Sequence, residues 1–189
     1  MSPGHRALLP GELIVRDMLE LIGDDPAREG LLETPHRVVK SWRELFAGYG
    51  KDPAAVLKTF EGGGYDQIVL LKDIEMYSTC EHHLQPFVGK AHIAYVPDKR
   101  VVGISKLARL LEVFTRRLQI QERIGEQITD ALMDHLKPKG AACIIEARHF
   151  CMCARGVGKQ HSMMITSSLR GIFLENQSTR SELMGLIRP

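Results

Sequence analysis

The chain has 189 residues, 44% of them apolar and 25% charged, with a formal net charge of +2. Those figures suit one globular domain with an extension and exclude wholesale disorder. So small a net charge gives no ground for a nucleic-acid or membrane partner, and no apolar run approaches the roughly 20 residues of a membrane helix. In chain order, Ile14, Val15, Met18, Leu19 and Ile22 recur on one helical face, predicting a helix over Gly11 to Ile22. Asp25-Pro26 and Thr34-Pro35 each read as a cap followed by proline in a first helical turn. The second opens a helix to about Phe46, and Asp52-Pro53 starts a short one. The run Gly62-Gly63-Gly64 then breaks the chain, dividing a helical N-terminal region, 1–64, from a second region, 65–189.

Beyond the glycines the period changes. Gln67 to Thr79 and Val88 to Val96 alternate as strands, and Pro97-Asp98 marks a turn. Ser105 to Leu118 and about Gln121 to Leu136 return to helical spacing. Ala141 to Cys153 and Ser162 to Leu169 are two more strands, and a last helix spans roughly Thr179 to Ile187. The core order is β-β-α-α-β-β, an α+β fold with helices on both flanks.

The densest chemistry is in Cys80-Glu81-His82-His83. A thiolate and an imidazole three apart can converge on one ion from a tight turn, and zinc favours sulfur and nitrogen donors at tetrahedral angles. Two ligands hold zinc weakly, so a third must come from elsewhere. His149-Phe150-Cys151-Met152-Cys153 is the donor segment, with Cys151 the expected ligand. Three protein ligands leave the fourth position to water, whose pKa falls toward about 7 on zinc, the pattern of a catalytic site. His82 and His149, placed beside that water, are suited to moving protons near neutral pH. Cys143 reads as a buried small hydrophobe. Cys153 stays open: in an extended strand it shares a face with Cys151, and as a fourth ligand it would close the site into a structural one. Four cysteines in a chain of this length, and a start without a basic-then-apolar stretch, fit a reducing, cytoplasmic setting rather than a secreted one.

With these residues assembled, the sequence resembles the GTP cyclohydrolase I family. The matching stretches are Thr34 to Val38 (TPHRV), Ser78 to His83 (STCEHH), Gly89 to Ala91 (GKA), Val102 to Arg109 (VGISKLAR) and Gln119 to Arg123 (QIQER). Glu146 to Gly156 (EARHFCMCARG), Thr166 to Ser168 (TSS) and Asn176 to Arg180 (NQSTR) complete the series. Cys153 departs from the family's commonest pattern. The resemblance implies a T-fold, with two β-hairpin pairs around two antiparallel helices. It implies rings, a homodecamer of two pentamers, with active sites at subunit boundaries.

The implied reaction is a hydrolase step that opens tetrahydrofolate and pterin biosynthesis, within one-carbon metabolism. GTP and water give 7,8-dihydroneopterin triphosphate and formate: zinc-held hydroxide adds to purine C8, the imidazole ring opens, the ribose rearranges and a new ring closes. By motif position Cys80, His83 and Cys151 would hold zinc. His82 and His149 would transfer protons, His149 at purine N7, and Ser105 would assist near the ribose. Glu122, with Gln121 beside it in the binding set, would grip the guanine edge, since a carboxylate accepts two N–H bonds that adenine does not offer together. Lys106, Arg109 and Arg155 would hold the triphosphate, joined by Lys40 from a neighbouring subunit. Two rival readings are a non-catalytic zinc-stabilised binding module using Cys153, and another T-fold enzyme acting on a pterin or purine. Nucleic-acid binding ranks last, because no basic stripe with interleaved aromatics is present.

Overall fold

The computed structural model describes residues 7–62 and 64–188. The chain divides into two compact units, Met1–Phe46 and Ala47–Pro189. The glycine run at 62–64 falls inside the second unit, and Gly63 lies outside the described residues.

The first unit holds α1 (Pro10–Leu21), a single 3₁₀ turn (Glu29–Leu31) and α2 (Thr34–Leu45). Proline occupies the first turn of both helices, where its missing N–H costs nothing. Val15 and Leu19 of α1 are buried, and a side chain at Gly11 would press on Val39 of α2 at 3.3 Å. Asp25 does not open an α-helix. Its carboxylate accepts the Ala27 N–H at 2.9 Å, closing a local turn instead.

The second unit is built on four long antiparallel strands, β2 (Val69–Cys80), β3 (Pro86–Val96), β6 (Gly140–His149) and β7 (Met164–Gly171), with a short one, β5 (Leu118–Gln119). They form a five-stranded sheet ordered β5-β2-β3-β6-β7. Two helices, α4 (Ile104–Thr115) and α5 (Gln121–His135), separate the two hairpin pairs in the chain. This is the β-β-α-α-β-β order of the T-fold. Three short pieces were not legible in the alternation pattern: β1 (Thr59–Glu61) paired with β4 (Arg100–Val102), and β5 (Leu118–Gln119), which runs parallel to the end of β2. A four-residue helix, α3 (Pro53–Val56), is capped by Asp52, whose carboxylate accepts the Ala54 N–H at 3.0 Å.

Alternation decides which face of the sheet meets the helices. Phe87, Ala91, Ile93 and Tyr95 of β3 and Cys143, Ile145 and Ala147 of β6 face Leu107, Leu110, Leu111, Ile124, Ile128 and Leu132. Each fully buried Leu, Ile or Phe contributes about 1.5–3 kcal/mol. The opposite face carries Ala94, Val96, Ala142 and Ile144, covered by Phe173 of α7 (Ile172–Glu175) and Leu183 of α8 (Gln177–Ile187). Gly89 permits the central pairing: a Cβ there would lie 2.0 Å from the Glu146 carbonyl oxygen.

The third strand reading needs one correction. Extended structure ends at His149, and Phe150–Cys153 forms a helical turn, α6. At about 100° per residue, side chains two apart on a helix point in nearly opposite directions. Cys151 and Cys153 therefore do not share a face. Among the described residues, no helix is long and apolar enough to cross a membrane.

Candidate metal centre and active site

The register of the sheet brings Cys80 and Cys151 together. Strand β3 pairs β2 on one side, Thr79 opposite Pro86, and β6 on the other, Phe87 opposite His149. Both antiparallel neighbours thus end beside the start of β3. After Cys80 the chain folds back at once: the Cys80 N–H donates to the Gln85 carbonyl at 2.8 Å, and the Leu84 N–H donates to the Cys80 carbonyl at 2.9 Å. Leu84 takes a φ of 54° to close the turn. That turn swings His83 back over Cys80, with Nδ1 3.8 Å from Sγ.

The donor atoms of Cys80, His83 and Cys151 all lie within 4.8 Å of one another. Ligands about 2.0–2.3 Å from a tetrahedral zinc sit about 3.5–3.8 Å apart, so only a small contraction separates this group from a coordinating one. Two thiolates and an imidazole are the donor set zinc prefers. Cys80 is buried, Cys151 half-buried and His83 exposed, so the group opens to solvent on one side. Burial, and then the neighbouring Cys80 sulfur, push the Cys151 thiol pKa up. A divalent cation between the two sulfurs would reverse that balance. Cys153 is not in the group. Its Sγ donates to the Lys159 carbonyl at 3.4 Å, on the far side of the α6 turn.

The remaining side chains at this end of the sheet come from β6, the start of α5 and the turn after β2. His149 is half-buried, stacked flat on Phe87 with ring centroids 4.5 Å apart, and its Nε2 lies 2.8 Å from Gln121 Oε1. Burial pushes its pKa down, opposed by the nearby Glu122 carboxylate. Glu122 is exposed in the first turn of α5 and lines a cavity of about 520 Å³ with Gly125, Thr166, Ser168 and Arg170. Gln121 is fully buried. His82 is exposed, edge-on to His83 at 6.2 Å between centroids. Between the cysteine and the histidines, Glu81 takes two hydrogen bonds from Arg123 at 2.6 and 3.2 Å, and the guanidinium holds the carboxyl below the usual glutamate range. Arg123 had no role in the sequence reading, although both partners stand inside the matched motifs. Only the fold shows that they meet.

Other expected residues lie elsewhere. Val102 donates to the Tyr95 hydroxyl at 3.1 Å, and Tyr95 pairs with Val69, which fixes the start of α4 near the far end of β2. The end of α4 leads to β5, beside Cys80. Ser105 and Lys106 are therefore about 15 Å of helix away from that junction, with Arg109 one turn closer. Lys40 is exposed on α2 in the first unit. Arg155 is exposed just after α6.

The family model of GTP cyclohydrolase I matches residues 12–188. A relative from Wolinella succinogenes, named GTP cyclohydrolase 1, is 58% identical over 94% of this chain and 95% of its own. Relatives of the same name from Chlorobium phaeovibrioides and Campylobacter lari are 52% and 54% identical, over 97% and 93% of this chain and 85% and 93% of their own. A crystal structure of an archaeosine synthase QueF-Like in the apo form covers 56% of this chain and 94% of its own, at 13% identity and a TM-score of 0.46. The length matched, the identities and the motifs around the cysteine–histidine group agree: this chain belongs to the GTP cyclohydrolase I family.

Proposed function

We propose that the chain is a zinc-dependent GTP cyclohydrolase I, converting GTP and water to 7,8-dihydroneopterin triphosphate and formate in the cytoplasm. The observation that carries this is the convergence of Cys80, His83 and Cys151, with His82 and His149 close by in the chain and the fold. We assign the catalytic groups to residues 65–189.

Cys80, His83 and Cys151 would hold the zinc, which when bound would supply a water that ionises near neutral pH. The protein's own residues do the rest. His149, stacked on Phe87, holds a proton for purine N7. His82 stands exposed on the ligand turn, free to move a second proton. Glu122 projects from the first turn of α5 and accepts the two N–H bonds of the guanine edge, which favours GTP over ATP.

The triphosphate is proposed to lie against Lys106, Arg109 and Arg155, with Ser105 near the ribose. Within one chain the first two sit toward the other end of α4 from the metal group. A neighbouring copy supplies the missing half more economically than any rearrangement of one core. The sheet supports this. Among the described residues, β7 pairs only with β6, and β2 has a second partner only at Thr79 and Cys80. Two open edges invite head-to-tail pairing, the geometry that generates rings. A decamer of two pentamers, with Lys40 reaching a neighbour's site, is the assembly we propose.

The test is direct. Purified protein supplied with zinc and GTP should release formate and give a fluorescent pterin after oxidation. Zinc-loaded protein that yields neither would refute the assignment.

A further inference from the structure

Gln121 stands beside the guanine-reading Glu122 in the chain, yet its side chain is fully buried and its amide is wholly occupied inside the protein. The amide nitrogen lies 3.0 Å from the Ile145 carbonyl oxygen, 3.0 Å from the Met164 carbonyl oxygen and 3.1 Å from the Thr166 hydroxyl. Carbonyl oxygens only accept, so the group facing them must be the NH₂. The amide cannot be turned round: a flip would set its oxygen against two carbonyl oxygens and its NH₂ against the imidazole, leaving buried polar groups unpaired. Its oxygen therefore points at His149 Nε2, 2.8 Å away, and that nitrogen must carry a hydrogen. Phe87, stacked at an interplanar angle of 4°, holds the plane of the ring.

We infer that Gln121 is a positioning residue that fixes the tautomer of His149, so that Nδ1 is the nitrogen that meets substrate. The donors of the amide are spent on β6 and β7, and its single acceptor is spent on the imidazole. Nδ1 is bare at rest, so a proton bound for purine N7 is first taken up there from solvent. The Nδ1–H bond then breaks as the N7–H bond forms, and the Nε2–H hydrogen bond to Gln121 persists unchanged. Gln121 thus acts on His149 and not on guanine. The kinetic half of this inference rests on the proposed cyclohydrolase reading; the tautomer itself does not.

The full-length protein labelled with ¹⁵N-histidine and loaded with zinc, examined by solid-state NMR, reads the ring directly. His149 is assigned by the signal lost in His149→Ala. The expected spectrum has His149 Nε2 in the protonated range and Nδ1 in the unprotonated range. Gln121→Met, of similar volume, should abolish that pattern, keep zinc, and lower kcat by about tenfold to a hundredfold with less change in KM, within the range of general acid–base effects. Were the wild-type protein to show the hydrogen on Nδ1 and none on Nε2, the inference would be overturned without any variant. Retention of the Nε2–H signature, or of full kcat, in Gln121→Met would overturn the role given to Gln121. A wild-type protein that released no formate would sink the enzymatic reading instead, and leave the tautomer to the spectrum.

Discussion

Arg123 grips both carboxylate oxygens of Glu81, so the first turn of α5 is tied to the residue between two zinc-ligand candidates. A bidentate guanidinium pair fixes orientation as well as distance. Arg123→Leu should weaken zinc binding by about tenfold, as loss of a group that orients metal ligands does, and turnover should follow. Competition with a chelator measures this. Lysine at 123 should recover only part, because it presents a point charge rather than a fork.

Substitutions among the cysteines should separate cleanly. Cys80→Ser and Cys151→Ser are expected to lose metal and formate release together. Cys153→Ala should keep both, since its sulfur is bonded to the Lys159 carbonyl and turned from the group. His82→Ala should retain zinc and lose turnover. Metal content by mass spectrometry, set against the formate assay, sorts the four. Zinc lost from Cys153→Ala would revive the structural-site reading.

Cys143 lies fully inside the sheet–helix core, and burial pushes its pKa up to about 12 from 9.0. The folded pKa exceeds the unfolded one, so the contribution to stability is intact below pH 9 and is lost as pH rises from 9 toward 12. The slope is about 1.4 kcal/mol per pH unit in that window. Urea unfolding at pH 8 and pH 10.5 should therefore show a steeper loss for the wild type than for Cys143→Ala. Equal losses would mean that the thiol ionises as readily folded as unfolded.

Gly89→Ala should unfold or badly loosen the sheet, because the added Cβ meets the Glu146 carbonyl oxygen at 2.0 Å and Ala147 Cα at 2.6 Å. We expect a loss of about 3 kcal/mol or more in urea titration. Since β3 sets both Cys80 and His149 in register, zinc affinity should fall with it.

The separation of Lys106 from the metal group predicts complementation. Cys151→Ser subunits and Lys106→Ala subunits are each expected to be inactive alone. Unfolded together and reassembled, they should recover activity at sites that draw one intact half from each copy. No recovery, with mixed assemblies demonstrated, would place the whole site within one chain.

Much of the fold was legible because helical and strand periods differ and each long element keeps its own. Ile124, Ile128 and Leu132 announce α5, and Val88 to Val96 announce β3, since one face of each is buried throughout. The metal group was legible too, because thiolates and imidazoles at close spacing are rarely indifferent chemically. What escaped was set by contacts distant in sequence. Leu118–Gln119 is a strand only because Thr79 and Cys80 lie alongside. The turn at Phe150–Cys153 follows strand residues without a glycine or proline to announce it. The side chain of Gln121 reads as polar and available, until the carbonyls of Ile145 and Met164 close over it. Arg123 and Glu81 share no spacing that a pattern could detect.

Among the described residues, the open flanks of β7 and of β2 short of Thr79 have a consequence for handling the protein. An isolated chain would present rows of unmet amide and carbonyl groups along β2 and β7, ready to join whatever strand comes near. Dilution would then cost robustness as well as activity, and the melting temperature should climb with concentration, because each copy shelters its neighbour.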